Sequence, residues 1–90
     1  MVDAYIFDAV RSPRGKGKKS GSLHEITALS LLTQQLEAIK IRNNLDTSKV
    51  DDIIMGCVSP VAGQGADIAR SAAITANYNQ TAAGVTVNRF

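Results

Sequence analysis

Three strand-prone runs recur along the chain, and a helix-like segment separates each run from the next. The runs cover residues 4–10, 51–58 and 84–90, and each is rich in apolar or β-branched side chains. Strands that alternate with helices need crossover connections, so the strands are expected to be parallel and the helices to pack on the sheet. We therefore predict an α/β fold with a βαβαβ order and three parallel strands.

The first helix is predicted to begin near Leu23. Ser22 and Glu25 have the spacing of a capping box, in which each side chain satisfies a free backbone N–H group. Apolar residues then recur every three or four positions and favour a helix that covers the sheet with one face. They are Ile26, Leu29, Leu32, Leu36 and Ile39. Lys40 and Arg42 suit the end of this helix, and residues 43–44 are expected to terminate it.

The second helix is predicted to begin near Ala66 or Asp67 and to end at residues 77–79, after a short capped turn at 46–50. Four alanines lie on one stripe of this helix: Ala69, Ala72, Ala73 and Ala76. Such small side chains permit close approach to another backbone. Two crossovers in the same direction leave both helices on one face of the sheet. The opposite face would then be uncovered, so the fold requires more chain or a partner.

The composition indicates one small globular domain of 90 residues, with 44% hydrophobic side chains. The net charge of +2 is too small to indicate a nucleic-acid partner, but residues 11–19 carry +5 and leave −3 on the rest. This basic loop either attracts a phosphate-bearing ligand or an acidic surface, or is a mobile solvated segment. One cysteine excludes an internal disulfide, and the start of the chain lacks the pattern of a secretion signal. We expect a cytoplasmic protein with no membrane segment.

Two constellations could carry chemistry, and each has a structural alternative. Cys57 and His24 could form a thiolate–imidazole pair, since Cys57 follows the apolar part of the second strand and His24 opens the helix after the first, near the same sheet edge. A buried cysteine and a solvated histidine are the commoner states. Residues 63–68 resemble the start of a dinucleotide fingerprint, except that Ile68 replaces the last small residue and Asp67 places negative charge at the anion position. A turn followed by an acidic helix start explains them better. The sequence shows no metal-ligand cluster and no catalytic carboxylate pair.

Four segments, in order and spacing, resemble the amino-terminal region of thiolases, in the acetyl-CoA acetyltransferase and 3-ketoacyl-CoA thiolase group. They are residues 9–15, 50–58, 64–70 and 85–90. The resemblance covers the whole chain, so residues 1–90 are expected to form part of a thiolase N-terminal domain, with the three strands belonging to a larger mixed sheet. It also implies association of this piece with the remainder of the enzyme, as a homodimer or homotetramer.

The resemblance implies an acyltransferase that makes or cleaves 3-ketoacyl-CoA through a cysteine acyl-enzyme, with coenzyme A thioesters as substrates and no tightly bound cofactor. The nucleophilic cysteine of the family would follow Phe90 directly, so no catalytic residue is assigned within the chain, and Cys57 matches a cysteine that is not the nucleophile. Asn88, Arg89 and Phe90 are expected to support the interface and the approach to the nucleophile. Two alternatives remain: a thiolase-like protein without condensing activity, and a stand-alone interaction module that uses the basic loop.

Overall fold

The computed structural model describes residues 2–88. The described chain folds into helix α1 (Ala28–Arg42), strand β1 (Asp52–Gly56), helix α2 (Ile68–Thr75) and strand β2 (Ala83–Val87). Short 3-10 turns at Thr47–Lys49 and Ala62–Gln64 precede β1 and α2. This order confirms the α/β class and the predicted positions of the second and third strand-prone runs.

The sheet that the described residues form is parallel and has two strands. Asp52 lies opposite Ala83 and Gly56 lies opposite Val87. One further hydrogen bond extends the ladder, because the Cys57 N–H donates to the Val87 carbonyl at 2.9 Å. Helix α2 connects the two strands along the chain, as expected for a parallel pair.

The predicted first strand at residues 4–10 is not confirmed. This segment forms no strand in the described part of the chain, and the side chains of Ile6 and Phe7 are 92% and 93% exposed. β-propensity reflects how well a residue fits a pleated, half-buried surface, and a strand exists only when its backbone groups pair with a neighbour. Residues 4–10 have no such neighbour among residues 2–88, so the predicted three-stranded sheet has two strands here.

Helix α1 begins five residues later than predicted, and the expected capping box is wrong. Residues 18–25 form turns, in which the His24 N–H donates to the Gly21 carbonyl at 3.3 Å. The cap is Thr27, whose extended backbone allows its hydroxyl to accept from the Ser30 N–H at 3.0 Å. The predicted end is confirmed, since Asn43 is the C-cap and follows Lys40 and Arg42 in the last turn.

Helix α2 begins at Ile68, directly after its cap Asp67, and confirms the alanine stripe. The three alanines of the helix and its C-cap Ala76 are 0–1% exposed, and they form the core together with Leu36, Ile53, Tyr78 and Ala82. The helix lies so close to β2 that a Cβ atom on Gly84 would stand 2.8 Å from the Arg70 backbone nitrogen. The small side chains therefore permit the close approach that the sequence predicted.

The two faces of the sheet differ, as predicted. Ile53 and Met55 of β1 point toward the helices and pack in the core. Ile54, Val85 and Val87 point the other way and are 67%, 43% and 50% exposed. Helix α1 packs mainly against α2 rather than over the strands, which differs from its predicted role as a direct cover of the sheet.

Tyr78 joins the two helices just after α2 ends. Its hydroxyl donates to the Leu36 carbonyl at 2.7 Å, and its N–H donates to the Ala73 carbonyl at 2.9 Å. The Lys40 ammonium donates to the Ala76 carbonyl and lies 5.7 Å from the centre of the tyrosine ring. Burial raises the pKa of Tyr78 above its ordinary value.

Candidate functional site

The carboxyl ends of the two strands define one edge of the sheet. Gly56 and Val87 are the last residues of β1 and β2, and they lie opposite each other in the parallel register. In open α/β folds, ligands gather beyond the carboxyl ends of strands, because the loops that leave the strands meet there. A functional site is therefore expected at this carboxyl edge.

Cys57 lies at this edge as a buried structural residue. The side chain is 4% exposed, and its thiol donates a weak hydrogen bond to the Gln64 side-chain oxygen, with a distance of 3.5 Å between sulfur and oxygen. Gln64 was not singled out from the sequence, because it reaches Cys57 only through the 3-10 turn Ala62–Gln64, which no spacing rule predicts. This contact gives the thiol a hydrogen-bond acceptor. The amide of Gln64 is not a general base that could deprotonate the thiol.

His24 is exposed and lies in the turns before α1. Its Nδ1 atom is 2.9 Å from the Gly17 carbonyl oxygen. Among the hydrogen bonds of residues 2–88, none joins His24 to Cys57. The thiolate–imidazole pair considered from the sequence is therefore not formed, and the structural alternative describes both residues.

The glycine-containing segment 63–68 is a turn and a helix cap. The Asp67 carboxylate accepts from the Arg70 N–H at 3.3 Å, so it occupies the position at the α2 amino terminus where a dinucleotide phosphate would bind. The left-handed backbone conformations of this region fall on Ala62 and Ala66, with φ of 49° and 56°, and not on Gly63 or Gly65. The structural interpretation is thus confirmed.

The residues predicted to support the interface follow β2. Asn88 is exposed at the carboxyl edge, directly after the last residue of the strand. Arg89 and Phe90 lie outside the described residues. The structure therefore gives the location of Asn88 and leaves the supporting role of all three residues as a prediction.

The basic loop, residues 11–19, reaches the same edge. Its five cationic side chains are all exposed: Arg11, Arg14, Lys16, Lys18 and Lys19. Ser12, between the two arginines, lines a groove whose other residues come from α1, from Met55 and Gly56 at the end of β1, and from Gln64 and Ile68 before and at the start of α2. The loop therefore begins beside the carboxyl ends of the strands.

Other kinds of site are not present in residues 2–88. No group of three or more histidine, cysteine, aspartate or glutamate side chains there could hold a metal ion. No helix of the described chain is long and apolar enough to cross a membrane. The described edge offers exposed cations and the end of β2, but no assembled pair of nucleophile and base.

Comparison with known proteins identifies the family of the chain. The family model described as "Thiolase, N-terminal domain" matches residues 4–90. The chain belongs to the thiolase family. The match to the thiolase model confirms the resemblance found in the four sequence segments.

Individual thiolases agree with the family match. The 3-ketoacyl-CoA thiolase of Shewanella denitrificans is 41% identical over 91 residues, which cover 100% of this chain and 23% of that protein. The 3-ketoacyl-CoA thiolase of Acinetobacter baylyi is 40% identical over 88 residues, which cover 98% of this chain and 22% of the relative. The chain therefore spans less than a quarter of the length of these thiolases.

Proposed function

We propose that the protein containing this chain is a thiolase-type acyltransferase. It would transfer an acetyl or longer acyl group between coenzyme A thioesters and so make or cleave a 3-ketoacyl-CoA, with no tightly bound cofactor. The observation that carries this proposal is the similarity of the whole chain, at about 40% identity, to proteins named 3-ketoacyl-CoA thiolase. The thiolase family match over residues 4–90 supports the same reaction class.

The reaction would use a cysteine that follows Phe90. Its thiolate attacks the thioester carbonyl of the acyl-CoA, the carbon–sulfur bond to coenzyme A breaks, and coenzyme A leaves as a thiol after protonation. The acyl group is then passed from the enzyme to the second substrate. A helix amino terminus lowers the pKa of such a cysteine, and backbone N–H groups stabilise the oxyanion that develops.

The contribution of residues 1–90 would be to position that cysteine. Strand β2 is held on one side by its ladder with β1 and on its inner face by close contact between Gly84 and α2. A strand fixed in this way delivers Asn88 to the carboxyl edge with a defined direction, which preorganises whatever follows it. The ninety residues alone are expected to be inactive, because they supply no nucleophile of their own.

The complete enzyme would also cover the surfaces that this chain leaves open. We propose that residues 4–10 pair as a further strand in a larger mixed sheet, since their apolar side chains are exposed here. We also propose a homodimer or homotetramer in which residues 88–90 contribute to the interface. The one cysteine, buried and reduced, is compatible with the proposed cytoplasmic location.

A thiolysis assay tests the proposed reaction in the protein that contains this chain. We expect acetoacetyl-CoA and coenzyme A to be converted to acetyl-CoA, and replacement of the cysteine after Phe90 by alanine to lower the rate at least about 1,000-fold. Cys57→Ala is the matched control and should keep most of the activity, because the thiol only donates a weak hydrogen bond to the Gln64 side chain and has no role in the proposed reaction. Loss of the reaction in Cys57→Ala alone, with normal folding, would contradict the assignment.

The supporting role of Asn88 requires a separate experiment. Asn88→Ala should weaken subunit assembly or reduce turnover, because the residue lies at the carboxyl edge between β2 and the proposed nucleophile. Mass photometry or sedimentation gives the assembly state, and the thiolysis assay gives the turnover. An unchanged oligomer mass together with unchanged turnover would refute a supporting role.

A further inference from the structure

Residues 16–24 are closed by hydrogen bonds within their own backbone. The Leu23 N–H donates to the Lys16 carbonyl at 3.1 Å, and the Gly21 N–H donates to the Lys18 carbonyl at 2.6 Å. The first bond joins the two ends of this segment, so the chain returns on itself before α1 begins. Residues 16–24 are therefore called the closed loop.

The His24 side chain fastens the end of the closed loop. Its Nδ1 atom is 2.9 Å from the Gly17 carbonyl oxygen, across seven residues of chain. A carbonyl oxygen can only accept a hydrogen bond, so Nδ1 is the donor, in the neutral ring or in the imidazolium. The imidazole is exposed and is not part of the core of the described chain. Its influence on the loop therefore acts through this bond.

The closed loop also requires a glycine at one position. A Cβ atom on Gly21 would overlap the Lys16 carbonyl, whereas a Cβ atom on Gly17 would meet no atom within 4 Å. Only a residue without a side chain permits the approach of backbone to backbone at Gly21. The two glycines therefore provide a matched pair, one that closure needs and one that it does not.

The segment that leads into the closed loop lies at the carboxyl edge of the sheet. Ser12 lines the groove to which Gly56 contributes at the end of β1, and β2 ends opposite Gly56. The nucleophile of the proposed reaction would follow β2 at this edge. A loop that is ordered before a ligand arrives loses less conformational entropy when the ligand binds. Closure of the loop would therefore favour ligands that approach this side of the edge.

We propose that His24 is a positioning residue, whose Nδ1–H bond to the Gly17 carbonyl holds residues 16–24 closed and preorganises this side of the carboxyl edge for substrate binding. The link to a substrate rests on the proposed function. Without the bond, closing the loop would cost part of the binding free energy, so the KM of the thioester substrate would rise. The kcat would stay unchanged, since His24 takes no part in bond making.

Limited digestion with trypsin measures the opening of the loop directly. Lys16, Lys18 and Lys19 lie in the closed loop, and cleavage after them follows the population of the open form. In the full-length protein, His24→Ala should raise the cleavage rate at these lysines roughly fivefold, as expected for the loss of one hydrogen bond. Cleavage after Lys49, an exposed residue of the 3-10 turn before β1, is the internal control and should not change.

Two further substitutions at His24 test the atom that makes the bond. The amide nitrogen of asparagine stands where Nδ1 stands in histidine, whereas the amide nitrogen of glutamine reaches the position of Nε2. His24→Asn should therefore keep the slow cleavage of the parent protein, and His24→Gln should be cleaved as fast as His24→Ala. Equal cleavage of the asparagine and alanine variants would overturn the assignment of Nδ1.

The glycine pair opens the loop while His24 remains in place. Gly21→Ala should raise the cleavage rate at the loop lysines, because the new Cβ atom displaces the Lys16 carbonyl. Gly17→Ala should be cleaved like the parent protein, because its Cβ atom meets open space and its carbonyl still accepts from His24. Equal cleavage of the two variants would contradict the closed conformation.

Thiolysis kinetics separate the positioning role from the proposed reaction. His24→Ala should raise the KM for acetoacetyl-CoA about two- to fivefold with kcat unchanged, and His24→Asn should restore the parent KM. Faster cleavage with an unchanged KM, or a fall in kcat alone, would overturn the positioning role. Absence of thiolysis in the parent protein would refute the proposed function instead, and cleavage that depends on Nδ1 would still support the closure of the loop by His24.

Discussion

Similar sequence patterns give different structures in two regions of the chain. These regions are residues 2–19 and the unit formed by β1, α2 and β2. Both contain β-prone apolar runs, yet Phe7 is 93% exposed, whereas Ile53 is 9% exposed. The difference lies in the partners. Strand β1 finds β2 on one side and the alanine stripe of α2 on its inner face, while residues 4–10 find neither among the described residues. A β-prone run thus forms a strand only where its backbone pairs with a neighbouring strand and its side chains are buried.

The same contrast separates the part of the chain that packs on itself from the part that lacks a partner here. The β1–α2–β2 unit fixes the direction of β2 through its ladder and through the contact at Gly84. The amino-terminal segment and the outer face of the sheet remain available for further chain. In the Shewanella denitrificans thiolase, more than three quarters of the length lies outside the matched region.

In the ninety-residue chain, the largest effect is expected from Gly84→Ala, which tests the close contact in the packed unit. The added Cβ would lie 2.8 Å from the Arg70 nitrogen, so backbone must move, and we expect a loss of about 2–3 kcal/mol in the free energy of unfolding. Gly56→Ala is the matched control on β1, since its Cβ would meet no atom within 4 Å. Urea unfolding of both variants checks this, and equal stabilities would show that the contact is not tight.

Tyr78→Phe tests the hydrogen bond that joins the two helices. Removal of the hydroxyl leaves the Leu36 carbonyl without this donor, and we expect a loss of about 1–2 kcal/mol in the free energy of unfolding. Tyr5→Phe is the control, because the Tyr5 side chain is 74% exposed, and it should change stability by less than about 0.5 kcal/mol. A similar change in both variants would mean that Tyr78 does not join α1 to the loop after α2.

Alkaline pH gives a second readout of Tyr78. Burial raises the pKa of the folded phenol above its ordinary value near 10. Below the unfolded pKa both states are protonated and the stabilisation is complete, and it is lost as the pH rises through the folded pKa, since the unfolded phenol ionises first. Unfolding midpoints measured from pH 8 upward should therefore fall more steeply for the parent chain than for Tyr78→Phe, and parallel curves would contradict the pKa shift.

A smaller effect distinguishes the observed helix cap from the predicted one. Thr27→Ala removes the acceptor for the Ser30 N–H and should cost about 1 kcal/mol of the free energy of unfolding. Ser22→Ala should cost less than about 0.5 kcal/mol, because Ser22 lies in the exposed turns before the helix. A larger loss of stability for Ser22→Ala than for Thr27→Ala in thermal unfolding would instead support the capping box at Ser22.

The smallest effect is expected in the amino-terminal segment. Phe7→Ala should change the free energy of unfolding of the ninety-residue chain by less than about 0.5 kcal/mol, since the ring is almost fully exposed. Ile53→Val in β1 is the buried counterpart and should cost about 0.5–1.5 kcal/mol. In the full-length protein, Phe7→Ala should instead cost several kcal/mol if residues 4–10 join the larger sheet, and equal small losses in both proteins would refute that pairing.

Much of the fold could be predicted from the sequence because local signals agreed with packing. The alanine stripe, a helix start near Asp67 and the strand pair could be predicted, because periodicity, turn residues and burial favour the same elements there. The predicted start of α1 was wrong. Ser22 and Glu25 match the capping pattern in sequence, but residues 18–25 form turns with their own backbone hydrogen bonds, such as that from the His24 N–H to the Gly21 carbonyl. At the carboxyl edge the exposed loop cations followed from composition, but the Gln64 contact to Cys57 depends on a turn that brings together residues seven apart.

The proposed cysteine acyl-enzyme is tested most directly by locating the acyl group after the full-length protein has reacted with acetyl-CoA. Rapid acid quench, proteolysis and mass spectrometry would identify the acylated residue, with hydroxylamine sensitivity as proof of a thioester. We predict one acetyl group on a cysteine that directly follows Phe90, and an unmodified Cys57. Acetylation of Cys57, or no acyl-enzyme in a correctly folded protein, would contradict it.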